Sequence, residues 1–239
     1  MQDIEERMNN FSQRKKNILN KQDKSSIGKW DEKIIGLCKR INKSKNYYTT
    51  SSCAGRIVLI RDIEGERGNL FLKVWHDLVD VEELKRVWEK LKSIPPTHPK
   101  NTSLSSEINN SELIGKQSIS EDIGINNVLA KSPDKIGLEA DAIKFKQEPP
   151  IFHVACKNLE SAEELLNKAK SVGWKRSGIT SLGKNIVLEL MSTEKLEFPI
   201  INESSKVLVN EDFLKLIIKK SNDNLKKGWE KIEDLKKTV

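Results

Sequence analysis

The sequence has no long apolar run. Nothing in it approaches the roughly 18 unbroken apolar residues of a membrane span, and Met1 to Asn20 carries acids and amides where a signal peptide would be greasy. Both absences point to a soluble, cytoplasmic chain. Cysteine is scarce: Cys38, Cys53 and Cys156 are odd in number and widely spaced, so neither a disulfide framework nor a CxxC knuckle is written here, and free thiols are expected. The three histidines, His76, His98 and His153, also stand apart without the close helical spacing of a zinc site, and no metal is expected. No strand opens into a helix through a GxGxxG entrance, which excludes a Rossmann-type cofactor domain.

What the sequence does have is charge. Of its 239 residues 36% are hydrophobic and 32% charged, enough apolar content for one compact core and too little for a second large one. The net charge is +7 and the pI about 9.1. The excess is Lys-rich, above all at Lys215, Lys219, Lys220, Lys226, Lys227, Lys231, Lys236 and Lys237. Such a run suits a polyanionic partner, and it equally suits a solvated helical face.

Periodicity divides the chain. Ile4, Met8, Phe11, Ile18 and Leu19 recur near helical spacing, giving an amphipathic helix that docks its stripe on the body and leaves Arg14, Lys15 and Lys16 outside. A second stripe runs through Ile34, Ile35, Leu37, Cys38 and Ile41. Tyr47 to Arg61 and Leu70 to His76 read as the strands of a hairpin, and Asp80 with Glu83 opens a helix carrying Val81, Leu84, Val87, Trp88 and Leu91. Residues from about 97 to 137 are rich in Ser, Asn and Pro with weak periodicity, a mobile insertion in this reading. Structure resumes from Leu138 to Lys146, then in a strand from Ile151 to Lys157, in which Ile151, His153 and Ala155 share a face. A helix capped by Asn158 and ended by Gly173 follows, then a hairpin over Trp174 to Ser181 and Ile186 to Met191, and a last helix from a cap near Asn210. The order strand, strand, helix occurs twice, and short antiparallel connections outnumber parallel crossovers. The expectation is an α+β fold with a mixed, mainly antiparallel sheet, one domain over residues 1–239.

One segment is odd as a strand. Tyr48-Thr49-Thr50-Ser51-Ser52-Cys53-Ala54-Gly55-Arg56 buries little, because its side chains are small or hydroxylated, and it invites close approach by a ligand or another backbone. Alternation puts Thr49, Ser51, Cys53 and Gly55 on one face and Thr50, Ser52, Ala54 and Arg56 on the other. Hydroxyls donate and accept, and the Arg56 fork fits carboxylate or phosphate, so the strip suits a polar small molecule or RNA. A Thr/Ser-rich edge strand with Arg56 in a surface ion pair is the plain alternative.

The same strip carries a resemblance. Asp23-Lys24-Ser25-Ser26-Ile27-Gly28-Lys29-Trp30-Asp31, followed after a helix by Thr49 to Arg56, resembles the wybutosine-synthesising methyltransferase family. That family has an Asp-x-Ser-x-Lys-Gly-x-x-Asp segment ahead of Thr-Thr-Ser-Ser-Cys-Ser/Ala-Gly-Arg. Ile27 stands where the family has Lys, with Lys29 two residues on. Pro150 to Cys156, Gly173 to Ile179 and the strand leading to Leu196-Glu197-Phe198-Pro199-Ile200 are similar to the family's later blocks. The resemblance implies a non-Rossmann fold and methyl transfer from S-adenosylmethionine to N4 of a tricyclic guanosine derivative, 7-aminocarboxypropyl-demethylwyosine, at position 37 of phenylalanine tRNA.

On this reading Ser51, Ser52, Gly55 and Arg56 line the cofactor site with Ser177 and Gly178, whose backbone amides can approach an anion. Asp23, Ser25, Lys29 and Lys73 contact substrate. Methyl transfer needs alignment and a departing proton, so His76 and His153 are the candidate catalytic groups, each against the alternative of a core histidine bonded to backbone. Cys53 and Cys156 are packing residues. Trp75 and Trp174 are candidates to stack a flipped base, whereas Trp88 and Trp229 belong to core stripes. The strip is expected to wall a cavity where methyl donor meets RNA base. The competing class is a tRNA-binding module without catalysis, and a structural protein stands third.

Overall fold

The fold is taken from a computed structural model, which describes residues 2–20, 31–61, 70–92, 142–183, 186–202, 204 and 206–239. Asp23, Ser25, Lys29, Trp30 and the proposed insertion at about 97–137 lie outside the described residues. Helices α1 (Gln2–Leu19) and α2 (Glu32–Lys43) precede strands β1 (Tyr47–Cys53), β2 (Arg56–Arg61) and β3 (Leu70–Trp75). Then come α3 (Val81–Lys92), β4 (Ile143–Glu148), β5 (Ile151–Cys156), α4 (Leu159–Ser171), β6 (Gly178–Leu182), β7 (Ile186–Met191), β8 (Leu196–Ile201) and α5 (Glu211–Thr238). No helix among the described residues is long and apolar enough to cross a membrane.

The α+β expectation holds, and its finer form is two four-stranded sheets, ordered β1-β5-β7-β6 and β3-β2-β4-β8, with every pairing between strands antiparallel. The two orders share a logic. β1 continues into β2, β4 into β5 and β7 into β8, so three chain segments cross side by side from one sheet to the other. The run from Tyr47 to Arg61 is therefore not one strand. It breaks at Ala54-Gly55, where Gly55 has φ +96°, a left-handed value that a side chain would strain. The β2–β3 half of the expected hairpin is present. The later hairpin is shorter than expected, its first strand starting only at Gly178.

Alternation also changes inside β1. Register slips between Thr49 and Ser51, a bulge at Thr50 that inverts the faces beyond it. Thr49 accordingly points inward, exchanging hydrogen bonds with the Asn42 side chain of α2, and Ser52 points the same way, 3.5 Å from Cys38 Sγ. Ser51 turns outward instead.

Two cores result. Phe152, Val154, Leu188 and Leu190 of the first sheet pack under α2, α4 and the second half of α5; Ile57, Leu59, Trp75 and Phe145 of the second pack under α3 and the first half of α5. Thus α5 spans the junction, with Trp229 touching both cores. Local sequence explains the ends of these elements. Asn158 and Asn210 accept the amides of Ser161 and Phe213, caps worth about 1 kcal/mol each, and Gly173 closes the turn after α4 at φ +92°. Asp80 caps α3, although Glu83 does not complete a capping box, because its carboxylate takes the indole N–H of buried Trp75. On the outer face of the first sheet, Phe11 of α1 packs 5.1 Å from the Tyr48 ring, beside Ala155 and Ile18.

Candidate active site

The β1–β2 crossing is held from both sides. Asp31 caps α2, accepting the Lys33 amide on Oδ1 at 3.1 Å, while its Oδ2 accepts the Ala54 amide at 3.1 Å. Trp229 Nε1 donates to the Ala54 carbonyl at 3.1 Å. A Cβ on Gly55 would lie 3.0 Å from the Glu148 carbonyl and 3.1 Å from Leu225 Cδ2, so this position excludes a side chain by space as well as by conformation. One residue on, Arg56 Nε donates to Glu148 Oε2 at 2.5 Å, and its guanidinium lies 5.0 Å from the centre of the Phe71 ring. The ion pair of the plain alternative is therefore made, half-buried, through Nε, and among the described residues the terminal guanidinium nitrogens have no hydrogen-bond acceptor.

Outward from the same strip runs a hydrogen-bonded chain across three adjacent strands. Ser51 Oγ is 2.8 Å from His153 Nδ1, and His153 Nε2 is 3.0 Å from Glu189 Oε2. Ser51 is exposed while His153 and Glu189 are half-buried. Both ring nitrogens are engaged, so the imidazole has one orientation, and the carboxylate gives an imidazolium a partner if a proton arrives. Such a chain can accept a proton from a group placed at Ser51.

His76 has the opposite surroundings. Its Nδ1 is buried without a hydrogen-bond partner among the described residues. Burial holds its pKa below the usual histidine value, with Arg56 and Lys33 pushing the same way and Asp31 opposing. At neutral pH it is thus an uncharged imidazole with a buried, unpartnered nitrogen near the crossing. Burial also pushes the Cys53 thiol up, with Asp31 and Glu148 adding to the effect, and raises Cys156 to about 12. Neither sulfur has thiolate character at neutral pH.

Other candidates fall less centrally. Ser177 Oγ donates to the Trp174 carbonyl at 2.6 Å and accepts the Met191 amide at 3.0 Å, so it is engaged in its own turn. Gly178 pairs with Glu189, and a Cβ there would meet nothing within 4 Å, which leaves open space beside the carboxylate. Lys73 Nζ lies 5.8 Å from the Trp75 ring centre. Trp75 and Trp174 are both core residues, 7% and 0% exposed, so neither offers a free face for stacking. Three residues of the site were given no site role from the sequence: Asp31, quoted only as the end of a motif, Glu148 and Glu189. Asp31 ends the Asp23 to Asp31 segment and could have been found as a helix cap; the two glutamates are brought in only by strand register. A cavity of about 180 Å3 lies at the far end of β1, lined by Arg40, Tyr47, Glu164, Lys168 and Val239 among others, away from the crossing.

Comparison with known proteins adds a second line. The profile of the family described as Methyltransferase TYW3 matches residues 13–239. A Thermococcus sibiricus protein named tRNA(Phe) 7-((3-amino-3-carboxypropyl)-4-demethylwyosine(37)-N(4))-methyltransferase is 29% identical over 230 residues, 95% of this chain and 92% of that one. The tRNA wybutosine-synthesizing protein 3 homolog of Danio rerio is 30% identical over 225 residues, 93% of this chain and 72% of its own. Among solved structures, the PH1069 protein from Pyrococcus horikoshii aligns with a TM-score of 0.69 at 27% identity, covering 96% of both chains.

Proposed function

The chain belongs to the TYW3 methyltransferase family, and from that premise we propose that it methylates N4 of the 7-(3-amino-3-carboxypropyl)-4-demethylwyosine base at position 37 of phenylalanine tRNA, in the cytoplasm, with S-adenosylmethionine as donor. The observation that supports a site at the β1–β2 crossing is the Ser51–His153–Glu189 chain on its open side. A binding module has no use for an imidazole fixed at both nitrogens next to an exposed hydroxyl.

The residues present fit such a donor. Exposed Thr50 and Ser51 offer hydroxyls, the terminal guanidinium nitrogens of Arg56 suit its carboxylate, and the Nδ1 of His76, unpartnered among the described residues, is an orphan that a polar ligand would satisfy. Alternation sets Glu148 and Glu189 on the outer faces of their strands, carboxylates that suit a cationic ligand. When bound, S-adenosylmethionine supplies an electrophilic methyl group. The protein's share is positioning and proton removal: Ser51 and Arg56 orient, His153 takes the proton leaving the acceptor nitrogen, and Glu189 holds the imidazolium.

The test is incubation with labelled S-adenosylmethionine and phenylalanine tRNA that lacks only this methyl group, followed by mass spectrometry of nucleoside 37. One added methyl on that base is the expected product. A protein that binds this tRNA and leaves the base unchanged would return the reading to a binding module.

A further inference from the structure

We propose that the basic corner formed by the second half of α1, the α2–β1 turn and Lys157 is the surface on which the tRNA backbone docks; this rests on the tRNA reading above. The sequence drew attention to the lysines of α5, and the fold sorts those eight. Lys215, Lys231, Lys236 and Lys237 each hold a carboxylate. Lys219, Lys220, Lys226 and Lys227 hold none among the described residues, but Asp223 and Glu230 stand in the same turns and dilute their field.

The corner differs in kind. Between Lys33 and Arg61 the chain has seven cationic residues and no acid, and residues 7–22 likewise have none. Folding gathers part of this bias into one place. Lys15 Nζ donates to the Ser44 carbonyl, which seats the basic turn of α1 on the α2–β1 turn, and the Lys157 amide donates to the Asn46 carbonyl at 3.0 Å, which brings the end of β5 to the same spot. Arg14, Lys15, Lys16, Lys43, Lys45 and Lys157 make no ion pair among the described residues. Elsewhere on the body Lys33, Lys146, Lys168 and Lys195 are each matched by an acid. Unmatched cations so grouped repel one another and are relieved by a polyanion, whose phosphates release counterions on binding.

Position supports the same occupant. α1 lies over Tyr48 and Ala155 on the outer face of the first sheet, the face that carries Ser51, His153 and Glu189. Ser51 is three residues along β1 from Tyr48, about 10 Å at strand rise. A nucleic acid held at the corner therefore has its next nucleotides over the Ser51–His153 chain. The four α5 lysines sit on a helix that packs against the inner faces of both sheets.

The experiment is tRNA binding as a function of salt, by the full chain. Each phosphate contact contributes roughly 0.7–0.9 to the slope of log affinity against log salt. The variant K16Q/K43Q/K45Q/K157Q changes residues that are exposed or half-buried and outside the catalytic strip, so its unfolding midpoint should match wild type. Its slope should fall by about 3 and its affinity at moderate salt by about tenfold or more, with calorimetric S-adenosylmethionine binding unchanged. The control variant K219Q/K220Q/K226Q/K227Q should keep the wild-type slope. If the corner variant keeps the slope, or the α5 variant loses it, the corner is not the docking surface. A wild-type protein that binds no tRNA at any salt would overturn the functional reading itself.

Discussion

Two glycine-to-alanine changes should move stability in opposite directions. Gly228 lies mid-helix in α5 against the Pro150 ring, and a Cβ there would come 2.7 Å from Cδ and 2.8 Å from Cγ, where carbon atoms in contact sit about 3.5–4.0 Å apart. The ring is part of the backbone between β4 and β5 and cannot swing aside. In a helix interior Gly→Ala gains about 1 kcal/mol. Overpacking here costs about 1–3 kcal/mol, and a shift of α5 also pulls Trp229 from the Ala54 carbonyl, a hydrogen bond worth about 1 kcal/mol. The net expectation for Gly228→Ala is a loss of about 1–3 kcal/mol. At Gly36 the added Cβ meets only the Lys236 side chain, nearest at 3.4 Å, a flexible neighbour, so Gly36→Ala keeps most of the helix gain of about 1 kcal/mol. At about 2–4 °C per kcal/mol for a chain this long, the two variants should melt at least about 4 °C apart. Thermal unfolding by circular dichroism, checked in urea, measures this. Equal midpoints, or a more stable Gly228→Ala, would refute the claim that the junction is packed to contact at Pro150.

His153→Ala should lower single-turnover methylation by about a hundredfold or more while S-adenosylmethionine affinity changes less than twofold; a parallel loss of binding would make His153 a structural residue. Glu189→Gln keeps a hydrogen-bonding group and loses the charge, so it should cost less than His153→Ala in the same assay and leave the melting temperature in place. For His76 the sign is set by burial: its folded pKa lies below the unfolded value of about 6.5, so the unfolded chain takes the proton first as pH falls. The stability it contributes is complete above about pH 6.5 and wanes below. Urea unfolding at pH 7.5 and 5.5 should thus show a drop that His76→Gln reduces, and an equal drop in both proteins would show that His76 is not the group titrating. Breaking the half-exposed Arg56–Glu148 pair by Arg56→Ala should cost about 1 kcal/mol or less yet abolish calorimetric binding of S-adenosylmethionine; full binding would remove Arg56 from the site.

Helices and their ends were legible because their signals are local. The stripe of Ile34, Leu37, Cys38 and Ile41, the caps Asn158 and Asn210, and Gly173 after α4 each act within a turn or two of chain. The sheet break and the bulge were not. Period-two reading assigns faces by counting residues, and one extra residue at Thr50 reverses every later assignment. In an apolar strand the reversal would show as a misplaced hydrophobe. In Thr-Thr-Ser-Ser every side chain is small and polar, so no contrast marks it. The same small residues let Ala54-Gly55 run on as strand in the sequence, although Gly55 faces the Glu148 carbonyl and Leu225 with no room for a Cβ. Contacts made by register have no sequence signal at all, which is why Ser51 and His153 were named and their partner Glu189 was not.

The bulge then has a chemical consequence. Without it, Ser51 would join Thr49 beneath α2 and Thr50 would stand opposite His153. With it, inward Thr49 and Ser52 are held by Asn42 and Cys38, while Ser51 alone meets the imidazole. One inserted residue therefore divides a run of near-identical hydroxyls into two that fix the strand to α2 and one that faces a proton acceptor. His76 follows a different route, since burial favours its neutral form and leaves Nδ1 without a partner among the described residues. Two histidines in contrasting environments on one crossing suit two tasks, a base beside a carboxylate and a neutral hydrogen-bonding contact to a ligand. The kinetic response expected of His153 and the pH response expected of His76 follow from that contrast, not from any difference in residue type.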